Sequence, residues 1–460
     1  MKKEIEEIYK DIPFGITSSI PMSEPNQKIM IYSGTFNLMI GKDSIEIEGE
    51  VWFDWFPHIN TKFNGIVKSS TKDIIGLLSA NDKYDLKIND LLFGESYITN
   101  SIVGSNAEVS GQVLGLSVIG DRTIPISKIT FSIPNLRDFW GLPNKLINEK
   151  GGYYSGHNRL IFENKDYVIT IDKSRDYKKS FESLTARGGY FLLYAGEIQK
   201  KSGNISFENL NKLHHCFSTF LSFINGQRCS LLFLQGIHDN EIIWTDYTGY
   251  ESDLFKHVHS WPQKLSINGL SELWNEFYEL WNNNANDEDF LVSAVHWYIE
   301  ANANSGYLEG SIIMIQTALE LIYNWLVIEK RKLIYGKDAD NISASNKIRL
   351  LLSQFGTNIR LPQYFINMKS YLDSNKDIYD EIDLFVQIRN AIIHSQEDKR
   401  RKLSKISHKV KYEAQQLGLW YIEISLLNIL KFNGKYRNRC SGKLWTGEDE
   451  EDLPKNKFNE

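Results

Sequence analysis

The hydrophobic pattern changes its period once along the chain, near residue 266, and that change limits the folds open to it. From about 28 to 175 short runs alternate apolar and polar residues, as in "KIMIYSGTFNLMIG", "SIEIEGEVWFDWF" and "NRLIFENKDYVITIDK", with Gly, Asn, Asp and Pro between them. Half-buried antiparallel strands require this alternation, so the first half reads as a β-sandwich or an open barrel. "FENLNKLHHCFSTFLSFING" (207–226) has helical spacing and ends in Asn-Gly, and "CSLLFLQGIHDNEIIWTDY" (229–247) returns to strands around an Asp-Asn turn. After 266 every long segment carries apolar residues at helical spacing, from "GLSELWNEFYELWNNN" to "SKISHKVKYEAQQLGLWYIEISLLNILKF". The expected fold class is therefore α+β and multidomain: a sandwich- or barrel-like β domain over 1–265, an all-α bundle over 266–445, and an acidic, mobile tail over 446–460.

With 460 residues the chain has room for two or three cores, and its net charge of −6 excludes a generally basic nucleic-acid binder. Any phosphate-binding surface must be local. Cys216, Cys229 and Cys440 are odd in number and widely spread, which points to a reducing compartment and, with no signal-like segment in "MKKEIEEIYKDIPFG", to the cytoplasm. "GSIIMIQTALELIYNWLVI" (310–328) is interrupted by Gln316, Glu320 and Asn324, so it reads as a buried helix and no membrane partner is expected.

"QIRNAIIHSQEDKRRK" (387–402) is the stretch with chemical content. On a helix over 376–395, Ile378, Ile382, Phe385, Ile388 and Ile392 form one apolar face. Asn390 and His394 share another stripe, and Arg389 lies about 100° from Asn390. The next residues place seven cations in thirteen positions: Lys399, Arg400, Arg401, Lys402, Lys405, Lys409 and Lys411. Such a run can bind RNA phosphates, although solvated charged connections have the same composition.

Arg389, Asn390 and His394 resemble the R-x4-6-H signature of HEPN-domain ribonucleases, in which a polar residue commonly follows the Arg. "QTALELIYNWL" and "SNKIRLLL" resemble the ApeA-like branch of that superfamily, and the strand-rich half looks like its N-terminal domain, so the resemblance spans nearly the whole chain. Fourteen Arg and ten His give about one chance match to so short a pattern, and Arg401 with His408 is a second match in this chain. The neighbouring Asn and the core helix favour Arg389/His394. The resemblance implies a HEPN helical bundle and metal-independent cleavage of RNA, with tRNA the favoured class, leaving a 2′,3′-cyclic phosphate. His394 would be the general acid/base, Arg389 the phosphate ligand, Asn390 a group that orients the His or holds the phosphate, and Glu320 either an acid facing Arg389 or simply a partly exposed acid on a long helix. Lys399, Arg400, Arg401, Lys402, Lys405 and Lys409 would bind RNA. No cofactor or metal is implied. A homodimer or larger homo-oligomer would bring two motifs into one cleft, and the setting would be antiphage defence by abortive infection, with the β domain sensing a phage-derived trigger.

Two alternatives use the same residues: a catalytically silent HEPN module that binds RNA or a partner protein, and a ligand-binding β-sandwich with a helical dimerisation domain. The bland reading of His394 is a favourable charge at a helix C-terminus, and of Arg389 a partner for a surface acid. A zinc site from His214, His215, Cys216, Cys229 and His238 fits no common spacing, and a core Cys with surface His is the simpler expectation. The aromatics before His58, "VWFDWFP", read as core rather than as a ligand platform.

Overall fold

The computed structural model describes residues 10–68, 82–102, 107–147, 153–265, 267, 269–303, 307–356, 361–394, 396–443, 445 and 447–454. Six strands close the first barrel: β1 (Ile29–Ile40), β2 (Asp43–Asp54), β3 (Asn60–Val67), β4 (Lys83–Ile88), β5 (Leu91–Ile102) and β6 (Glu108–Leu114), in the order β1-β2-β3-β6-β5-β4. Alternation along each strand points Phe36, Leu38, Ile45, Ile47, Phe63 and Leu86 into a separate barrel core. Gly49 pairs with Gly34 on one side and Gly65 on the other, and a Cβ on Gly49 would meet the Asn64 carbonyl at 1.9 Å, so closure depends on glycine there.

An eight-stranded antiparallel sheet follows, a second β unit that strand alternation alone does not separate from the first. Its strands are β7 (Val118–Gly120), β8 (Lys128–Pro134), β9 (Leu142–Ile147), β10 (Tyr153–Glu163), β11 (Tyr167–Lys173), β12 (Leu192–Lys200), β13 (Leu232–His238) and β14 (Glu241–Asp246). Asp239 and Asn240, both at positive φ, make the tight β13–β14 turn that the Asp-Asn pair predicts. The barrel meets this sheet through an aromatic junction in which Trp55 stacks on Tyr190 at 5.1 Å. Phe53 and Trp55 are fully buried there, as the core reading expects, whereas Trp52 is half-buried and Phe56 and His58 are exposed.

Helix α1 (Tyr177–Arg187) and helix α2 (Phe207–Asn225) accompany the sheet. Ser206 caps α2, and Gly226 ends it in the left-handed conformation. Phe217 and Phe220 of α2 lie on Phe162 of the sheet and also on Trp274, and Phe223 lies on Tyr298. α2 is thus covered from both sides, and one continuous core runs from Val118 to Leu453. The boundary at 265/266 separates strand-rich from helix-rich chain but does not separate two cores.

The helical part comprises α3 (Leu270–Trp281), α4 (Ala285–Ala303), α5 (Leu308–Tyr323), α6 (Lys337–Asp340), α7 (Ala344–Ser353), α8 (Ile366–Ser374), α9 (Glu381–His394), α10 (Glu397–Lys405) and α11 (His408–Ile429). α5 continues into a π-helical stretch, Asn324–Lys330, held by the buried Asp287, which accepts from the Trp325 indole at 2.9 Å and pairs with Lys330. Leu308–Lys330 is long and apolar enough to cross a membrane by composition, yet 61% of its most apolar window is buried inside the fold. The acidic tail differs from expectation. Glu450–Asp452 forms a strand against Lys435–Arg437, Asp449 pairs with Arg437, and Leu453 is buried; residues 455–460 lie outside the described residues.

Candidate functional site

α9 starts at Glu381 because the Asp380 carboxylate accepts from the Asp383 amide at 2.8 Å, and Arg349 clamps that carboxylate at 2.6 and 2.7 Å. Ile378 therefore precedes the helix instead of extending its stripe. Ile382, Phe385 and Ile388 are buried and Ile392 is half-buried.

Two helices, α5 and α11, fix the direction of α9. Lys411 pairs with Glu309, Gln415 donates to Ser311, and a Cβ on Gly418 would meet Ile315 at 2.6 Å and Phe385 at 2.9 Å, so α5 and α11 run parallel and touch α9 at Gly418. Glu381 and Asp380 act on the buried Tyr421, whose phenol is pushed up first by burial and then by these charges. α9 thus runs antiparallel to both.

This register corrects the expectation for Glu320. It lies beyond Ile315 toward one end of the bundle and Arg389 beyond Phe385 toward the other, about 13 Å apart along the helix axes at 1.5 Å per residue. Glu320 accepts instead from Lys347 of α7, at 2.5 Å. It does not hold the Arg389 guanidinium.

Arg389 is half-buried. Its Nη1 donates to the neighbouring Asn390 Oδ1 at 3.0 Å, and its Nε is buried with no partner. Among the described residues no carboxylate pairs with it, which sets aside the surface-acid reading. A buried N–H of this kind lacks the bond that normally offsets its desolvation, and an anionic oxygen would supply it. His394 is the last residue of α9 and is exposed. At 100° per residue it stands about 40° from Asn390 and about 140° from Arg389, so Asn390 links the two around the helix.

The basic run is a helix, not a loop. In α10, Glu397 and Asp398 occupy the first turn and Lys402 and Lys405 the last, matching the helix dipole; that charge order was the available sequence signal. Arg400, Arg401, Lys402, Lys405 and Lys409 are exposed and Lys399 is half-buried. Lys411 pairs with Glu309, whereas among the described residues no acid pairs with Lys399, Arg401, Lys402, Lys405 or Lys409. The second motif match dissolves: Arg401 lies on α10 and His408 opens α11, with the chain turning between them at Ile406.

Among the described residues no cluster of His, Cys, Asp and Glu could hold a metal. Cys216 and Cys229 are buried and free. His214 is also buried, contrary to the surface expectation, with Nε2 at 2.9 Å from the Leu231 carbonyl.

Comparison with known proteins adds sequence relatives. Residues 121–258 match the YopA central domain and residues 284–451 the YopA C-terminal domain. No solved structure matches. An uncharacterized, SPbeta prophage-derived protein YopA of Bacillus subtilis strain 168 is 26% identical over 435 residues, 92% of this chain and 94% of that protein. The two YopA domain matches thus cover β8 to β14 of the sheet and, apart from α3, the helices, and α9, α10 and α11 all fall within the C-terminal match.

Proposed function

We propose that the chain is a metal-independent endoribonuclease of HEPN type, with Arg389, Asn390 and His394 at its centre. The observation that carries this reading is the Arg389 guanidinium, half-buried, lacking a carboxylate, joined to Asn390 and followed along the helix by an exposed imidazole. RNA carries its own nucleophile in the 2′-hydroxyl. Cleavage requires removal of that proton, protonation of the leaving 5′-oxygen, and a cation on the phosphate. His394 moves a proton, and Arg389 binds the phosphate oxygens through its planar fork. The α10 cations and Lys409 draw the strand in, with an affinity that falls as salt rises.

One imidazole cannot act as acid and base in the same step. Two copies of α9 facing each other across a two-fold axis supply both, and Ile393, 41% exposed beside His394, gives that face an apolar contact. The active form is therefore a homodimer. Prophage carriage of the relative fits a role in defending a lysogen against a second phage by abortive RNA cleavage, tRNA being the first substrate to test.

Incubation of the purified protein with bulk tRNA in EDTA tests the reaction. Cleavage is expected to give 2′,3′-cyclic phosphate ends and to fall at least a hundredfold in Arg389→Ala and His394→Ala, with circular dichroism unchanged. Equal cleavage by parent and both variants refutes the assignment. RNA retention without cleavage by the parent supports the silent, RNA-binding module instead.

A further inference from the structure

A second site lies far along the chain from α9. A cleft of about 780 Å³ opens between the segment 135–138 that follows β8, β10 and the end of β11, α1 and the segment around 255–264, a volume typical of small-molecule sites. Within a chain of net charge −6, six Lys and Arg line it against two carboxylates, Asp138 and Glu182.

Few of these charges are neutralised. Lys173 and Lys264 share the Asp138 carboxylate, at 2.5 and 2.6 Å. Among the described residues no acid pairs with Arg175, Lys178 or Lys256, all exposed at the rim. Arg137 has its backbone fixed, the amide on Asn225 and the carbonyl under the Tyr194 hydroxyl, while its guanidinium has no hydrogen-bond partner among the described residues. Burial, and then the neighbouring Arg437, pull its pKa down to about 10. Two further polar groups in the lining are unused: Gln227, 3% exposed with Oε1 unpaired, and the Ser174 hydroxyl.

The remaining wall is aromatic. Tyr177 and Phe181, one turn apart on α1, stack at 5.8 Å and 11°, and Phe255 meets Phe181 edge-on at 5.5 Å. All three are half-buried. A single multivalent anion satisfies Arg137, the Ser174 hydroxyl and the rim, while Gln227 Oε1 accepts from an N–H or O–H of the same ligand, whose flat ring occupies the aromatic wall.

We propose that this cleft is a binding site for a small nucleotide, its phosphates held by Arg137, Lys173, Arg175 and Lys178 and its base set against Tyr177, Phe181 and Phe255. The site stands independently of the reaction assigned to α9. Arg137 neighbours Arg437 and Tyr298, and Tyr298 donates to the buried Glu423 of α11 at 2.7 Å, so an anion here borders the network that anchors the helices.

Isothermal titration calorimetry of the full-length protein with ATP tests the site, using inorganic tripolyphosphate as a charged probe without a ring. ATP is expected to bind at least tenfold more tightly than tripolyphosphate. Arg137→Gln is expected to weaken ATP at least tenfold, and the rim double variant Arg175→Gln/Lys178→Gln severalfold with an unchanged melting temperature. Absence of heat at millimolar ATP overturns the proposal, and equal binding of the two probes overturns the nucleotide class. Undiminished ATP binding by the rim variant also overturns it, and that measurement decides the matter if Arg137→Gln does not fold.

Discussion

His214 is neutral because burial makes its charged form costly, and this outweighs the favourable bond to the Leu231 carbonyl; its pKa is pushed down to about 4. In the unfolded chain the same imidazole titrates near 6.5. As pH falls from there, the unfolded state takes the proton first. Stability is therefore complete above about pH 6.5 and is lost progressively toward pH 4, by about 3 kcal/mol. Asp246 acts in the opposite sense, since burial raises its carboxyl and favours the protonated folded form. Urea unfolding at pH 7.5 and 4.5 should show a stability loss smaller by about 2–3 kcal/mol in His214→Gln than in the parent. Equal losses would show that His214 is not held neutral. At this scale the sequence was informative where a role depends on near neighbours along one helix: Arg389 joins Asn390, and Asn390 and His394 share a stripe. The partner of Glu320 was not legible, because the axial register of α5 against α9 is set by packing at Gly418.

That packing is an element-scale property. Apolar periodicity located α9 and α11 and identified the buried face of α9, but one glycine sets how closely they approach. Gly418 in mid-helix carries a propensity cost of about 1 kcal/mol and is retained where Ile315 and Phe385 fill the space a side chain would take. Gly418→Val forces three carbons between α5, α9 and α11, and about 3 kcal/mol of destabilisation is expected, at the upper part of the usual overpacking range. Urea midpoints measure this loss. In the folded fraction the proposed RNA cleavage should fall as well, since Arg389 lies one turn from Phe385. Unchanged stability would mean that the three helices do not meet at Gly418. α10 escaped recognition as a helix for a different reason: it is short, lacks a buried face and shows its identity only in the order of its charges.

For the whole molecule, the change in period placed strands before helices correctly but left the extent of each core undetermined. Barrel closure and the division of strands between two β units depend on pairings between distant residues, such as β1 with β4 and β8 with β13, which alternation within one strand cannot encode. For the same reason the boundary at 265/266 looked like a domain boundary. Across it, Phe217, Phe220 and Phe223 of α2 cover Trp274, Phe277 and Tyr298. Uncovering these aromatic residues costs on the order of 5–10 kcal/mol, as much as the net stability of a typical domain. A fragment of residues 266–460 is therefore expected to be helical but poorly packed, with strong anilinonaphthalene sulfonate binding, weak near-ultraviolet circular dichroism and no sharp calorimetric transition. A fragment of residues 116–460 keeps the sheet with the helices and loses the barrel, whose core is separate, together with the segment before it that bonds to the sheet at Asp172, Arg159 and Ser132; since the main core remains, it should unfold cooperatively. A sharp transition and a dye-free surface in the 266–460 fragment would show that the helices hold a core of their own. The opposite result would place the RNA chemistry proposed for α9 and the ligand proposed for the sheet within one cooperative unit.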